Sequence, residues 1–186
     1  MMNITIAVIA LFGVFAGAHT KGGASPSNAG LRQLRCDAAV SALPLGALGD
    51  TYYSSAPTRP FSIDLSPDTL KSGWQGQAPR ASTLSSFEMS RGESALTCEN
   101  VRKVAAAHGA LASETGANAQ LRSIGIGKRT AYVHRMSLPA LDELGTEAIA
   151  EVVSSSNQLG GGVYLVLLHK AGGRWNVVGR KAIVLS

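Results

Sequence analysis

The chain has 186 residues, 45% of them hydrophobic, two cysteines and a formal charge of +5 at pH 7. That balance excludes the apolar-poor, highly charged composition of disordered chains, and the length suits one domain with a buried core. The charge is uneven: residues 19–100 hold seven Lys/Arg against seven Asp/Glu, whereas residues 101–186 hold ten against five, so the second half carries the whole excess.

Ile4 through Ala18 is almost wholly apolar and ends in Ala16-Gly17-Ala18, the small-x-small form that a signal peptidase accepts. Cleavage is expected after Ala18. The apolar run, about 15 residues, is shorter than the roughly 20 a helix needs to cross a bilayer, which makes it a signal core rather than a lasting anchor. No Lys or Arg precedes it, so the terminal amine alone supplies positive charge there. Cys36 lies too far downstream to carry the lipid of a lipoprotein. The expected location is secreted or periplasmic, with no transmembrane span after cleavage.

Residues 19–29 are rich in Gly, Ser and Asn and nearly free of large apolar groups, a composition expected to give a flexible mature N-terminus. Residues 30–186 are then expected to form a single α+β domain, helical and loop-rich over 30–116 and an antiparallel sheet over 117–186. Leu31, Leu34, Ala38, Val40 and Leu43 form a helical stripe that Pro44 ends, which puts Cys36 on a helix. From Pro44 to Arg91 the periodicity fades. Phe61 to Leu65 alternates as a half-buried strand, and Ser66-Pro67-Asp68 starts a short helix through Leu70. Trp74 is expected to pack back on the body, and 75–91 to be mostly loop, with Leu84 to Met89 a weak strand or turn.

The clearest predicted helix runs from Thr97 to Ser113, with Val101, Val104, Ala105, His108, Leu111 and Ala112 on one stripe and Gly116 just past its end. Thr97 is its expected cap, and Glu99 suits the positive end of the helix dipole. Cys98 would tie this helix to the first one, since an oxidising compartment makes a Cys36–Cys98 bridge the default. A reactive thiolate would need a basic neighbourhood, and Asp37 and Glu99 argue against one.

Strands are then expected at Leu121–Ile126, Thr130–Leu138, Ala148–Ser154, Val163–Lys170 and Trp175–Leu185. Gly172-Gly173 marks the tight turn of the closing hairpin, and Gly179 a bulge that lets the last strand change facing. The expected architecture is α+β, with two or three helices packed on one face of a four- to five-stranded antiparallel meander sheet in the C-terminal half.

No catalytic constellation stands out. Gly125-Ile126-Gly127-Lys128 lacks the earlier glycine and the following hydroxyl of a phosphate loop, and Gly160-Gly161-Gly162 reads as a loop. No serine lies in a G-x-S-x-G or S-x-x-K context. His108 reads as a structural member of its stripe. His134 and His169 sit mid-strand, and would share a face as an acid/base or metal-binding pair only if their strands were neighbours in register. The acids Asp142, Glu143, Glu147 and Glu151 fall where a solvated loop is expected, and no catalytic carboxylate, metal or cofactor is assigned.

The function expected on these grounds is a non-enzymatic envelope or extracellular binding protein. Its basic face would comprise Lys128, Arg129, Arg135, Lys170, Arg174, Arg180 and Lys181, suited to an anionic envelope polymer, a lipid surface or another protein. Export and the lack of interleaved aromatics exclude nucleic acid. The alternative is a small secreted hydrolase with a site assembled from dispersed residues and His134 or His169 as base. A third is an inhibitor-like module whose segment from Pro44 to Arg91 inserts into a partner.

Overall fold

The computed structural model describes residues 27–45, 50–56, 67–89, 92–127, 129–158 and 160–185. The expected signal peptide, most of the mature N-terminus, the Phe61–Leu65 strand and Lys128 lie outside them.

Helix α1, Asn28–Ala42, is capped by Ser27, whose Oγ accepts from the Gly30 amide at 3.2 Å. Its buried face is Cys36, Ala38, Ala39 and Ala42, small residues that let the backbone lie close to the sheet. Leu43 leaves helical geometry, as the residue before a proline tends to. Four further helices lie among the described residues: α2, Pro67–Lys71; α3, Ala81–Met89; α4, Glu99–His108; and α5, Glu114–Ile124.

Among the described residues, eight strands form one mixed sheet: β1, Asp50–Ser54; β2, Gln75–Gly76; β3, Ala110–Ala112; β4, Ala131–Met136; β5, Ala140–Leu141; β6, Glu147–Ser156; β7, Gly161–Ala171; and β8, Arg174–Leu185. Their order is β2-β8-β7-β6-β4-β1-β3, with β5 beside β6. Within it β4, β6, β7 and β8 pair antiparallel in that order, and the closing turn has Gly172 and Gly173 at φ of 56° and 79°. The expected four- to five-stranded antiparallel meander is thereby replaced by a larger mixed sheet, because β1 runs parallel to both β3 and β4. α5 supplies the crossover from β3 to β4 that a parallel arrangement requires.

Four local expectations are corrected. The predicted helix 97–113 stops at His108: Gly109 is fully extended, with φ of −178°, and lets β3 follow. Its N-cap is Cys98 rather than Thr97, which sits in a 3-10 turn over Ala95–Thr97. The predicted strand 121–126 is the end of α5, where Ser113 Oγ accepts from the Gly116 amide and Ala117, Leu121 and Ile124 face inward at spacings of four and three. The 75–91 loop holds β2 and α3. Thr83, Leu84 and Phe87 make the buried face of α3, a helical spacing that its serines obscured.

The helices cover both faces rather than one. On the front face, α1 and α4 pack over Tyr53, Met136, Ala148, Ala150, Val152, Val166, Leu168 and Trp175. On the back face, Leu70, Leu84 and Phe87 meet Ile149 and Leu165, with Trp74 packed against them. Burial from both sides explains why Glu147 through Val153 are consecutively buried, where a half-solvated strand would alternate. Cys36 and Cys98 form the expected disulfide, with Cα atoms 5.6 Å apart across 62 residues of sequence, and it joins α1 to the start of α4.

Candidate functional site

The end of α1 and the residues behind it, Val40 to Leu45, stand over the front face and leave a cleft of about 490 Å³. Tyr53 pins this roof, donating its hydroxyl to the Pro44 carbonyl at 2.9 Å. The floor is His134, Val152, Ser154, Tyr164, Val166 and Arg180, drawn from four strands.

Register places the polar groups. His134 lies opposite Ser154, and Ser154 opposite Gly162, so the three occupy one row across β4, β6 and β7 at roughly the 4.8 Å spacing of strands. Gly162 has no side chain where Tyr164 needs room: a Cβ there would stand 2.9 Å from the Tyr164 hydroxyl. The phenol therefore reaches back over Gly162 into the row of His134 and Ser154. Gly161 and Gly162 belong to β7, which corrects their assignment to a loop.

His134 is 6% exposed, and among the described residues neither ring nitrogen has a hydrogen-bond partner. Its ring stacks parallel to Tyr132 at 6.0 Å and lies tilted to Tyr53 at 5.8 Å. Desolvation lowers its pKa from 6.5 to about 4, so the imidazole is neutral at pH 7, with one donor and one acceptor nitrogen. A small hollow of about 10 Å³, bounded in part by Tyr53, Ser54, Leu43 and Met136, also touches His134 and has room for at most one water.

At the opposite corner of the cleft, Arg180 lies across from Val166 on β8. It is exposed and has no carboxylate within ion-pair distance among the described residues. The cleft thus has a neutral hydrogen-bonding end, an apolar middle and a cationic mouth.

His169 is not the partner of His134. β6 separates their strands, and the register puts His169 with Glu147 on the back face. There His169 Nε2 meets Glu147 Oε2 at 2.5 Å, while Glu147 Oε1 accepts from the Thr83 hydroxyl at 2.5 Å and the Arg80 amide at 2.7 Å. Burial alone would raise the pKa of Glu147, but hydrogen bonds from Thr83, the Arg80 amide and His169 outweigh it and hold the carboxyl below its usual value. Asp142, beneath the Arg80 guanidinium at 2.9 Å, accepts from the amides of Thr146 and Glu147. These two acids are buried structural anchors, not members of a solvated loop.

The basic residues named from sequence are not gathered on one face. Arg129 pairs with Asp50 at 2.9 Å, and Arg135 with Glu114 at 3.1 Å on the back face. Lys170 lies over the Trp175 ring. Lys181 is buried and donates to the Ser72 carbonyl, on the face opposite to Arg180. Arg174 stands at the hairpin turn.

Ser154 and Tyr164 escaped the sequence reading because only strand pairing brings them to His134. The available signal was the Gly161-Gly162 pair directly before an apolar run. Comparison with protein-family models, with curated proteins and with solved structures finds no match to this chain.

Proposed function

We propose that this is an exported, disulfide-linked binding protein that holds a small ligand in the cleft between α1 and the sheet. The observation that carries the reading is His134. A buried donor and acceptor left without partners are costly, by about 1–3 kcal/mol each, and such groups belong where a ligand or ordered water completes them. Binding rather than turnover is supported by the low basicity of the imidazole at pH 7. Export is supported by the apolar leader ending at Ala18 and by the Cys36–Cys98 bridge, which suits an oxidising compartment.

The cleft is tested with Nile red, a neutral apolar fluorophore, on the mature protein. Saturable one-to-one binding that is lost in Ser41→Trp, which plugs the cleft from the exposed side of α1, supports the reading. Absence of saturable binding, or binding indifferent to the plug, overturns it. N-terminal sequencing of the processed protein should begin at His19; an intact Met1 in an exporting host would remove the export part.

The hydrolase is the second reading, and one observation favours it. Glu147 fixes the His169 ring as a carboxylate orients a general base, leaving Nδ1 for a substrate. Esterase or glycosidase activity that disappears in His169→Ala and persists in His134→Phe would install this reading in place of the first.

A further inference from the structure

The binding reading leaves the ligand open, and the cleft's polarity narrows it. We infer that the ligand is an amphipathic monoanion: an apolar chain with a carboxylate at one end and a neutral hydroxyl or carbonyl at the other. Arg180 takes the carboxylate at the mouth, and the row of His134, Ser154 and Tyr164 takes the neutral end. This rests on the cleft being a ligand site, and goes beyond it by fixing orientation and class.

Three observations point the same way. First, charge is one-sided. Among the described residues, Arg180 is the charged residue lining the cleft and has no carboxylate within ion-pair distance, so an anion gains most there and a cation is repelled. Second, the inner row offers only uncharged groups. It can both donate and accept through the imidazole and two hydroxyls, so a hydroxyl or carbonyl is satisfied there, whereas a second carboxylate would be buried without a countercharge. Third, the lining between the ends is mainly apolar, with Val40, Ala42, Leu43, Pro44, Val152 and Val166, and Ser41 adds one hydroxyl.

The dimensions agree. Arg180 and His134 are three strands and four residues apart in register, roughly 20 Å between backbones on standard sheet spacings. After both side chains reach inward, the span left suits a medium-length chain rather than a single ring or a long lipid tail. The volume, about 490 Å³, is that of a small-molecule site.

Three probes separate the two ends: ω-hydroxylauric acid, lauric acid and lauryl alcohol, titrated calorimetrically into the mature protein. The hydroxy acid should bind tightest, with lauric acid weaker by about tenfold and lauryl alcohol by a similar factor, as expected for one hydrogen bond or one exposed ion pair. Arg180→Gln should weaken both acids about tenfold and leave lauryl alcohol unchanged. His134→Phe should erase the advantage of the hydroxy acid over lauric acid while leaving lauric acid itself bound.

Displacement of Nile red by all three probes with equal affinity, unmoved by Arg180→Gln, would overturn the ligand class and leave the cleft reading intact. Failure of Nile red itself removes the cleft reading, so the two failures are distinguishable. A hydroxy-acid preference that persists in His134→Phe overturns the orientation.

Discussion

His134 on β4 and Ser154 on β6 are register partners, and the pairing sets an unpartnered imidazole beside a half-buried hydroxyl beneath the end of α1. The site exists because of that row. Shifting either strand by one residue would send its own member of the pair to the back face and leave the other behind.

The first prediction concerns acid stability. His134 titrates at about 4 in the folded protein and near 6.5 in the unfolded chain, so between these values the unfolded state binds more protons. Stability is therefore whole above about pH 6.5 and falls as the pH drops toward 4, by about 3 kcal/mol. His134→Phe should remove that slope. It should also raise stability at pH 7 by about 1 kcal/mol, because two unsatisfied nitrogens leave the interior. Urea denaturation of both proteins across this range measures it, and an unchanged slope in the variant would refute the assignment.

Glu147 acts in a lower window. Its folded pKa lies below the usual carboxylate value, so its contribution is present above the unfolded pKa and is lost as the pH falls below about 4.5. Glu147→Ala removes the acceptor for Thr83, the Arg80 amide and His169 at once, and should destabilise by about 3 kcal/mol at pH 7. Thermal denaturation at pH 7 decides it. A loss below about 1 kcal/mol would mean that the anchor contributes little.

The disulfide closes a long loop between two helices, worth about 4 kcal/mol on the chain-entropy estimate. The Cys36→Ser/Cys98→Ser double variant should unfold about 10 °C lower in a calorimetric scan, given the size of the chain. Reductant should lower the wild-type midpoint comparably and leave the variant's unmoved. A wild-type midpoint insensitive to reductant would show that the bridge contributes no stability in solution.

Gly179 carries a packing constraint. A Cβ there would collide with the Gln77 carbonyl and stand 3.3 Å from the Trp74 ring, so β2 could no longer lie against β8. Gly179→Ala should cost about 2 kcal/mol by overpacking and shift tryptophan emission to the red as Trp74 becomes wetter. Native-like emission with unchanged stability would count against this account.

Local chemistry was legible from the residues alone wherever neighbours in sequence settle it. Pro44 ends α1, Gly172-Gly173 turns the hairpin, and the apolar runs of β6, β7 and β8 declare strands. The cysteine pair was legible too, because two thiols leave one intramolecular pairing. Where a break was small, local reading failed: Gly109 in fully extended geometry ends a helix whose apolar stripe continues through Leu111, and Ser113 restarts one where a strand seemed due.

Only the tertiary structure decided which strands are neighbours, and with that the site. β1 enters the sheet parallel beside β4, which brings Tyr53 against His134 and pins the roof through Pro44. The same register sends His169 to Glu147 on the back face and draws Tyr164 over Gly162 into the row of His134. Periodicity says that a side chain alternates. It does not say what lies across from it, because strand pairing is settled by the packing of the whole sheet, and the row of His134, Ser154 and Tyr164 is a product of that pairing.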